Sequence, residues 1–332
     1  MSDRIHIEGI GELIAAVPTV LSFVPEQSIV LVFSSAGRIT WMVRTDFGTG
    51  GRLLTAETIA RSGESDAVIV VVVAKGRTFR EVIAEGDRVN ATMLGLGVEV
   101  QGIYYTPSIE GGQTWTDMQT FGTGTVVDPA TTAAAAATVF TGKQFTRTRE
   151  EIVARYRRDD ATMTDRRRAR KTKEVMGENF PRSVISELAD AVRERQEPTA
   201  ALAARVGLLV TTDITARDAI LGLAVIDPAT AAETMAAVAR KLYGAERVAA
   251  LTVAGFFAYV NFQGPDAGCA FEAAREEAAR HPLSDTRLLG LVEQALSTGL
   301  HPRQMRTLSG TGVGIAREKF GVELPAPSSD WL

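Results

Sequence analysis

The segment Lys75-Gly76-Arg77-Thr78 combines residue types that suit anion binding. It directly follows the most apolar run of the chain, Ala67–Ala74, and it precedes a helical pattern. In open α/β sheets, ligands bind beyond the carboxyl ends of strands, and backbone amides at the start of a helix favour anions. The segment is therefore a candidate site for a phosphate or a carboxylate. A solvated loop between a strand and a helix is the simpler interpretation.

A second concentration of charge lies between residues 155 and 173. Three aspartates oppose nine basic residues there, which are Arg155, Arg157, Arg158, Arg166, Arg167, Arg168, Arg170, Lys171 and Lys173. On a helix, Arg166 and Arg170 share one face, and Arg167 and Lys171 share the neighbouring face. These four side chains are candidates for contacts to nucleic-acid phosphates or to a partner protein. The alternative is a solvated helix, or one that braces two lobes through salt bridges, because the segment holds a single aromatic residue and the protein is acidic overall.

Other catalytic or metal-binding chemistry finds little support in the sequence. The histidines at 6, 281 and 301 have no neighbouring ligands, and we expect them to be solvated or capping residues. Cys269 stands among Ala, Phe and Arg residues, which predicts burial and not nucleophilic reactivity. The glycine-rich run 310–314 follows no strand, so we interpret it as a flexible turn and not as a phosphate-binding loop. We predict no catalytic residues, no metal and no cofactor.

The composition bounds the class of protein. The chain has 332 residues, a length typical of about two domains, and a formal net charge of −4. This charge provides no global attraction to nucleic acid or to anionic membranes. A single cysteine excludes an internal disulfide framework and indicates a reducing compartment. The sequence shows no signal-peptide pattern and no apolar run of membrane-spanning length, so we expect a cytoplasmic protein without membrane contact.

Strand and helix patterns alternate in the first third of the chain. A helical stripe covers 9–21, where Pro18 predicts a kink or a split. The strand patterns cover 29–33, 38–44, 66–74 and 98–106, and further helical patterns cover 55–61 and 79–96. The run at 66–74 is apolar on both faces, which predicts a central strand covered on two sides. The alternation predicts an α/β lobe with a mostly parallel, helix-covered sheet that begins with an antiparallel hairpin.

The pattern changes at Asp128, where strand-like runs end and alanine becomes abundant. An all-α lobe is therefore expected after the α/β lobe. The predicted divisions are an α/β domain at 1–125, an Ala-rich helix with a basic helical connector at 126–200, a helical domain at 201–325 and a flexible tail at 326–332.

The helical domain contains a predicted hairpin formed by 248–262 and 265–280, followed by a third helix at 284–298. Its small and aromatic positions have the relative spacing of a tetratricopeptide repeat, and they are Gly255, Ala267, Phe271 and Ala274. No second good copy of the pattern is present. The alternative interpretation is that two Ala-rich helices pack closely through small residues.

The opening 12–33, ELIAAVPTVLSFVPEQSIVLVF, resembles that of an actinobacterial and actinophage family of hypothetical proteins. The family is known mainly as a domain of unknown function. The resemblance returns at 128–154, DPATTAAAAATVFTGKQFTRTREEIVA, and at 249–300, around AGFFAYVNFQGPDAGCAFEAA. Many family members carry a Trp-containing segment followed by a cysteine cluster. Here Trp115 stands in that region, but 118–128 contains no cysteine. The resemblance implies no catalytic residues.

Three functional hypotheses follow from these patterns. The first is a non-enzymatic cytoplasmic protein of actinobacterial or phage origin that acts by self-association or as a protein-interaction adaptor. The alternative is a small-molecule or nucleotide-binding sensor or enzyme that uses the strand-end loops 46–52 and 75–78. A second alternative is a nucleic-acid-associated protein that uses the basic helix 155–173.

Overall fold

The computed structural model describes residues 7–21, 23–48, 65, 67–132, 149–159, 165–297, 300–328 and 331. The chain divides into two compact units, residues 1–150 and 151–332. Within the described parts, strands occur in the first unit only, and the second unit is built of helices and their connections. An α/β region followed by a helical region is therefore the observed architecture.

The first unit contains two described helices and six strands. In chain order they are α1 (Ile10–Leu21), β1 (Ser28–Ser35), β2 (Arg38–Asp46), β3 (Ala67–Val73), α2 (Phe79–Gly95), β4 (Glu99–Thr106), β5 (Thr114–Asp117) and β6 (Thr123–Thr125). The sequence predicted the first four strands and both helices to within a few residues. It missed β5 and β6 because strands of four and three residues are too short for an alternating pattern to be recognised.

The strands form one sheet in the order β2-β1-β3-β4-β5-β6. The prediction of a mostly parallel sheet is wrong, because β3 and β4 form the one parallel pair among the described strands. The prediction assumed that two strands joined by a helix lie side by side in the sheet and therefore run parallel. In the structure, β1 pairs antiparallel with both β2 and β3, so these two strands run in the same direction with β1 between them. β2 and β3 thus run parallel to each other but do not pair.

The core of this unit lies at β1 and β3. Alternate residues of both strands pack with the apolar stripe of α2. The strand residues include Ile29, Leu31, Phe33, Val68, Val70 and Val72, and the helix residues include Val82, Val89 and Met93. The intervening residues are buried as well, namely Val30, Val32, Val71 and Val73. Both faces of the central strands are therefore covered, as the unbroken apolar run at 66–74 predicts for β3.

Two predictions about helices have different outcomes. Helix α1 continues through Pro18, so the predicted split does not occur. The helix predicted at 55–61 lies outside the described residues, as does most of the Ala-rich run 131–138. A short 3-10 turn covers Pro129–Thr131 where that run begins.

The second unit contains ten described helices. They are α3 (Arg149–Arg155), α4 (Arg166–Met176), α5 (Asn179–Glu194), α6 (Ala200–Thr212), α7 (Ile214–Ile220), α8 (Pro228–Arg240), α9 (Gly244–Val260), α10 (Gly264–Arg280), α11 (Arg287–Ser297) and α12 (Pro302–Phe320). A 3-10 turn, Leu221–Val225, joins α7 to α8. The predicted hairpin is α9 and α10, and the predicted third helix is α11, so these three helices are confirmed.

The hairpin packs through small residues. A Cβ atom built on Gly255 of α9 would lie 2.3 Å from Cε1 of Phe271 on α10. Ala267, Ala270 and Ala274 of α10 are fully buried. The ring of Phe271 therefore occupies the space that the missing side chain of Gly255 leaves open.

The interpretation of 310–314 as a flexible turn is wrong, because these residues lie inside α12. Glycine is a poor helix former, so propensity alone argues against a helix here. The tertiary contact supplies the reason. A Cβ atom on Gly312 would lie 2.5 Å from the amide nitrogen of Gly222, so this crossing of α12 and the 3-10 turn requires a residue without a side chain.

The chain after α12 has no helix or strand among its described residues, as its proline and serine content predicts. Val322, Leu324 and Trp331 are nevertheless buried. The guanidinium of Arg306 on α12 lies 4.4 Å from the ring centre of Trp331 and donates a hydrogen bond to its backbone carbonyl. The flexibility of 326–332 stays a prediction.

Candidate functional site

The loops that follow β2 and β3, described at 46–48 and 75–78, meet at the same end of the sheet's strands. Ser28 at the start of β1 lies opposite Val73 at the end of β3 and Asp46 at the end of β2. The neighbouring Gln27 links the two loops. Its side-chain amide donates to the carbonyl of Lys75 at 2.6 Å, and its backbone carbonyl accepts from the amide of Phe47 at 2.8 Å.

Thr78 caps α2 through a reciprocal arrangement with Glu81. The Glu81 carboxylate accepts from the Thr78 amide at 2.8 Å and from the Thr78 hydroxyl at 2.7 Å, and the Glu81 amide donates back to that hydroxyl. The hydrogen bonds from the Thr78 backbone and side chain hold the pKa of Glu81 below its usual range. The start of this helix therefore already has a carboxylate from the chain itself.

The two cations of the predicted segment differ in their surroundings. Arg77 donates to the Gln27 side chain at 3.0 Å, lies 3.6 Å from the Glu81 carboxylate and stands 5.2 Å from the ring centre of Phe47. Lys75 is exposed, and its ammonium group forms no ion pair with any described residue. Gly76, with φ of +76°, permits the turn between them. Anion binding by this segment stays a prediction.

Sequence reasoning missed a buried carboxylate next to these loops. Glu85 of α2 is fully buried and accepts a hydrogen bond from the Gly48 amide at 2.9 Å and another from Arg88. It stands between Val82 and Val89 in the apolar stripe of the helix. A charged residue at a core-facing position was the available signal.

The prediction of one basic helix over 155–173 is wrong, because α3 ends at Arg155, residues 156–159 are not helical and α4 begins at Arg166. The candidate residues lie on two different faces of α4. Ala169 is buried on the inward face, and the Asp165 carboxylate caps the helix through the amide of Arg168 at 2.8 Å. The outward face carries exposed cations that form no ion pair with any described residue. They are Arg167, Arg168, Arg170 and Lys171, and we call them the basic face. Arg168 is the member that the sequence analysis did not single out, although i and i+3 spacing places it beside Lys171.

Arg166 was predicted as a contact residue together with Arg167, Arg170 and Lys171, but its side chain turns inward. Its Nε donates to the Glu246 carboxylate at 2.7 Å, and its terminal nitrogen donates to the Tyr243 carbonyl at 2.5 Å. The guanidinium also lies 3.5 Å from the ring centre of Tyr243. Glu246 is buried, so Arg166 neutralises an interior charge and holds α4 against the start of α9.

Arg155 and Lys173 also bind within the second unit. One nitrogen of Arg155 contacts both carboxylate oxygens of the buried Asp266, at 2.8 and 3.1 Å. The Tyr156 hydroxyl donates to the same carboxylate at 3.1 Å, and burial raises the pKa of Tyr156 well above its usual range. Lys173 donates to the Thr212 hydroxyl at 2.9 Å. Three of the nine basic residues at 155–173, namely Arg155, Arg166 and Lys173, are therefore structural, and four others form the basic face.

The cysteine and the histidines were the other residues weighed for catalytic or metal-binding chemistry. Cys269 is buried, as predicted. His301 caps α12, where its Nδ1 accepts from the Arg303 amide at 3.2 Å, which confirms the predicted capping role. His6 lies outside the described residues. In the described part of the chain, no three His, Cys, Asp or Glu side chains cluster in a way that suits a metal ion.

Comparison with known proteins identifies the family. Residues 11–303 match the model of a domain of unknown function, DUF4192. The chain belongs to the DUF4192 family. This membership confirms the predicted domain of unknown function, and the actinobacterial or phage origin stays a prediction. No curated protein and no solved structure matches the chain.

The DUF4192 match includes both candidate surfaces. It spans the strand-end loops and the whole of α4, and it ends at Arg303 in the first turn of α12. None of the described DUF4192 helices combines the length and apolarity needed to cross a membrane.

Proposed function

We propose that this DUF4192 protein is a non-enzymatic cytoplasmic adaptor of actinobacterial or phage origin, which docks its basic face against an acidic surface of a partner protein. The observation that carries this proposal is the basic face itself. Four neighbouring cations lie exposed on α4 without a carboxylate partner among the described residues, in a chain with 40 acidic and 36 basic residues. Carboxylates are plentiful in this protein, yet none of those described neutralises this face.

The cations of the basic face also repel one another. Arg167 lies at i,i+3 and i,i+4 spacing from Arg170 and Lys171, and Arg168 lies at i,i+3 spacing from Lys171. Each like-charge pair of this kind destabilises a helix by about 0.2–0.5 kcal/mol. A partner that supplies carboxylates relieves this repulsion on binding, which adds to the attraction between the two surfaces.

A protein partner fits this surface better than nucleic acid. Val175, one helical turn after Lys171, is 79% exposed and provides an apolar contact beside the charges. The basic face lacks interleaved aromatic side chains for base stacking, and a net charge of −4 opposes the approach of a polyanion. The acidic surface of a second copy of this chain is one such partner, which includes the self-association hypothesis.

Fluorescence anisotropy with a labelled polyglutamate peptide and a labelled DNA duplex, at about 0.1 M salt, tests the proposal. We expect wild type to bind polyglutamate, and the variant R167Q/R168Q/R170Q/K171Q to lose this binding. A variant with the same change of charge on other exposed sites, R182Q/R303Q/R317Q/K319Q, should retain it. Equal losses in both variants, or tighter binding to the duplex than to polyglutamate, would contradict the adaptor proposal.

A second candidate function is the nucleotide-binding or small-molecule sensor. The observation in its favour is the contact between the loops at 46–48 and 75–78 through Gln27, a non-glycine residue with φ of +42°. Strained backbone of this kind often accompanies ligand sites. A thermal-shift screen of nucleotides and metabolites tests it, since a ligand at 100 times its dissociation constant stabilises the protein by about 2.7 kcal/mol.

A further inference from the structure

A cavity of about 410 Å³ opens beside α4 in the helical unit. Side chains from α4, the start of α9 and the end of α10 line it together with the loop 281–284. Its volume lies within the range of small-molecule sites, roughly 300–1,000 Å³. Four charged side chains and one imidazole line it, namely Arg166, Arg170, Glu246, Arg280 and His281.

The charges that line the cavity do not cancel. Glu246 neutralises Arg166 through the 2.7 Å hydrogen bond. Arg170 has no ion-pair partner in the described chain. The carboxylates nearest to Arg280 belong to Glu276 and Glu277, at 4.0 and 3.8 Å, which exceeds hydrogen-bonding distance. Two guanidinium groups from different helices therefore retain donors for a ligand.

Glu277, the carboxylate nearest to Arg280, is engaged by other groups. This buried carboxylate accepts the Gly244 amide at 2.6 Å, lies 3.5 Å from Arg247 and lies 3.4 Å from Nε2 of His281. Arg280 lies 3.8 Å from this carboxylate, so Glu277 forms no hydrogen bond with its guanidinium. The guanidinium of Arg280 therefore has donors left to bind an anion in the cavity.

Another part of the lining is apolar. The ring of Tyr243 is held under the guanidinium of Arg166, and Leu283 at the rim is fully exposed. Pro282 lies between the basic end of α10 and Leu283. This wall suits an organic group and offers little to a bare inorganic ion.

We propose that the cavity binds a phosphate monoester, with the phosphate between Arg170 and Arg280 and the organic group against Tyr243 and Leu283. A phosphate monoester carries a charge of about −1.5 to −2 at neutral pH and has three acceptor oxygens, which matches two guanidinium donors. This inference goes beyond the adaptor proposal, since its ligand is a small molecule and Arg280 lies outside the basic face.

Isothermal titration of the full chain with phenyl phosphate and with inorganic phosphate, in a buffer free of phosphate, tests the site. We expect phenyl phosphate to bind more tightly than inorganic phosphate. R280Q should weaken phenyl phosphate binding by about tenfold or more, since it removes a charge-assisted hydrogen bond. L283E, which places a negative charge at the rim on a fully exposed position, should weaken it as well.

The control variant is R167Q/K171Q, which changes the basic face without altering the cavity lining. It should keep phenyl phosphate affinity within about twofold, because only screened, longer-range charge is lost. Absence of phenyl phosphate binding by wild type would overturn the inference, and so would equal losses in R280Q and R167Q/K171Q. Phenyl phosphate binding without polyglutamate binding would reject the adaptor proposal alone, and the reverse result would reject the cavity site alone.

Discussion

Gly312 of α12 and Gly222 of the 3-10 turn lie in backbone contact. A Cβ atom on Gly312 would stand 2.5 Å from the Gly222 nitrogen, and one on Gly222 would stand 2.7 Å from the Val313 nitrogen. Neither glycine has a positive φ, so the close approach, and not backbone conformation, requires them. Two segments ninety residues apart in sequence therefore need glycine for one shared reason.

Gly312→Ala should destabilise the protein, because its methyl group meets backbone atoms that cannot move aside. Overpacking of this kind costs roughly 1–3 kcal/mol. Gly314→Ala is the matched control in the same helix, since a Cβ atom added there would meet nothing within 4 Å. Alanine loses less backbone conformational entropy than glycine when the helix forms, so that change should stabilise the protein by about 0.5–1 kcal/mol. Urea unfolding distinguishes the two, and equal effects would refute the contact.

Gly255→Ala should likewise destabilise the α9–α10 hairpin, because the added methyl group overlaps the ring of Phe271. We expect a loss of about 1–3 kcal/mol. In a double-mutant cycle, Phe271→Leu should reduce the effect of Gly255→Ala, since the smaller side chain vacates the space. Gly268→Ala is the control on α10, where the nearest side-chain atom lies at 3.8 Å. Additive effects of Gly255→Ala and Phe271→Leu on the free energy of unfolding would exclude a direct contact between the two residues.

Arg166→Gln and Arg167→Gln should have different effects although the residues are adjacent. Loss of Arg166 leaves the buried Glu246 carboxylate without its cation, which costs roughly 2–3 kcal/mol. Arg167 is exposed and has no ion pair among the described residues, so its replacement should change stability by less than about 0.5 kcal/mol. Chemical unfolding measures both. A stable Arg166→Gln protein would show that Glu246 has another partner.

Asp227 should make part of the stability depend on pH. Burial of its carboxylate raises the pKa, but hydrogen bonds from Thr230 and Ala229 and the charge of Arg195 outweigh this, so the pKa is lowered. A lowered folded-state pKa gives stability that is present above the unfolded value of about 4 and is lost as the pH falls through the folded value.

Asp227 is also the N-cap of α8, where its carboxylate accepts hydrogen bonds from the amides of Ala229 and Thr230. Asp227→Asn separates the pH effect from this capping, because asparagine caps nearly as well as aspartate. Unfolding of both proteins at neutral pH and near pH 3 measures it. Wild type should lose more stability on acidification than the variant does. An identical loss in both would mean that Asp227 contributes no pH dependence.

Residues 126–332 produced alone should give a helical circular dichroism spectrum with little strand signal. The last described strand, β6, ends at Thr125, and the described residues beyond it form helices, turns and irregular segments. A strand-rich spectrum would contradict the division at 125.

Local periodicity was enough to predict several elements. The unbroken apolar runs of β1 and β3, the hairpin of α9 and α10 and the burial of Cys269 all follow from side-chain patterns within one segment. Such patterns report which face of an element is apolar, and this information is contained in neighbouring residues.

Only the tertiary structure decided features that depend on distant segments. Strand direction followed from the position of β1 between β2 and β3, which no single strand encodes. Gly312 lies inside a helix and not in a turn, and its close approach to Gly222 explains why glycine stands there. On α4, helical spacing separated Arg166 from Arg167, but Glu246, 80 residues away, determined which of them turns inward. A cation beside a buried carboxylate becomes structural, and its neighbour one position along the helix is left to face the solvent.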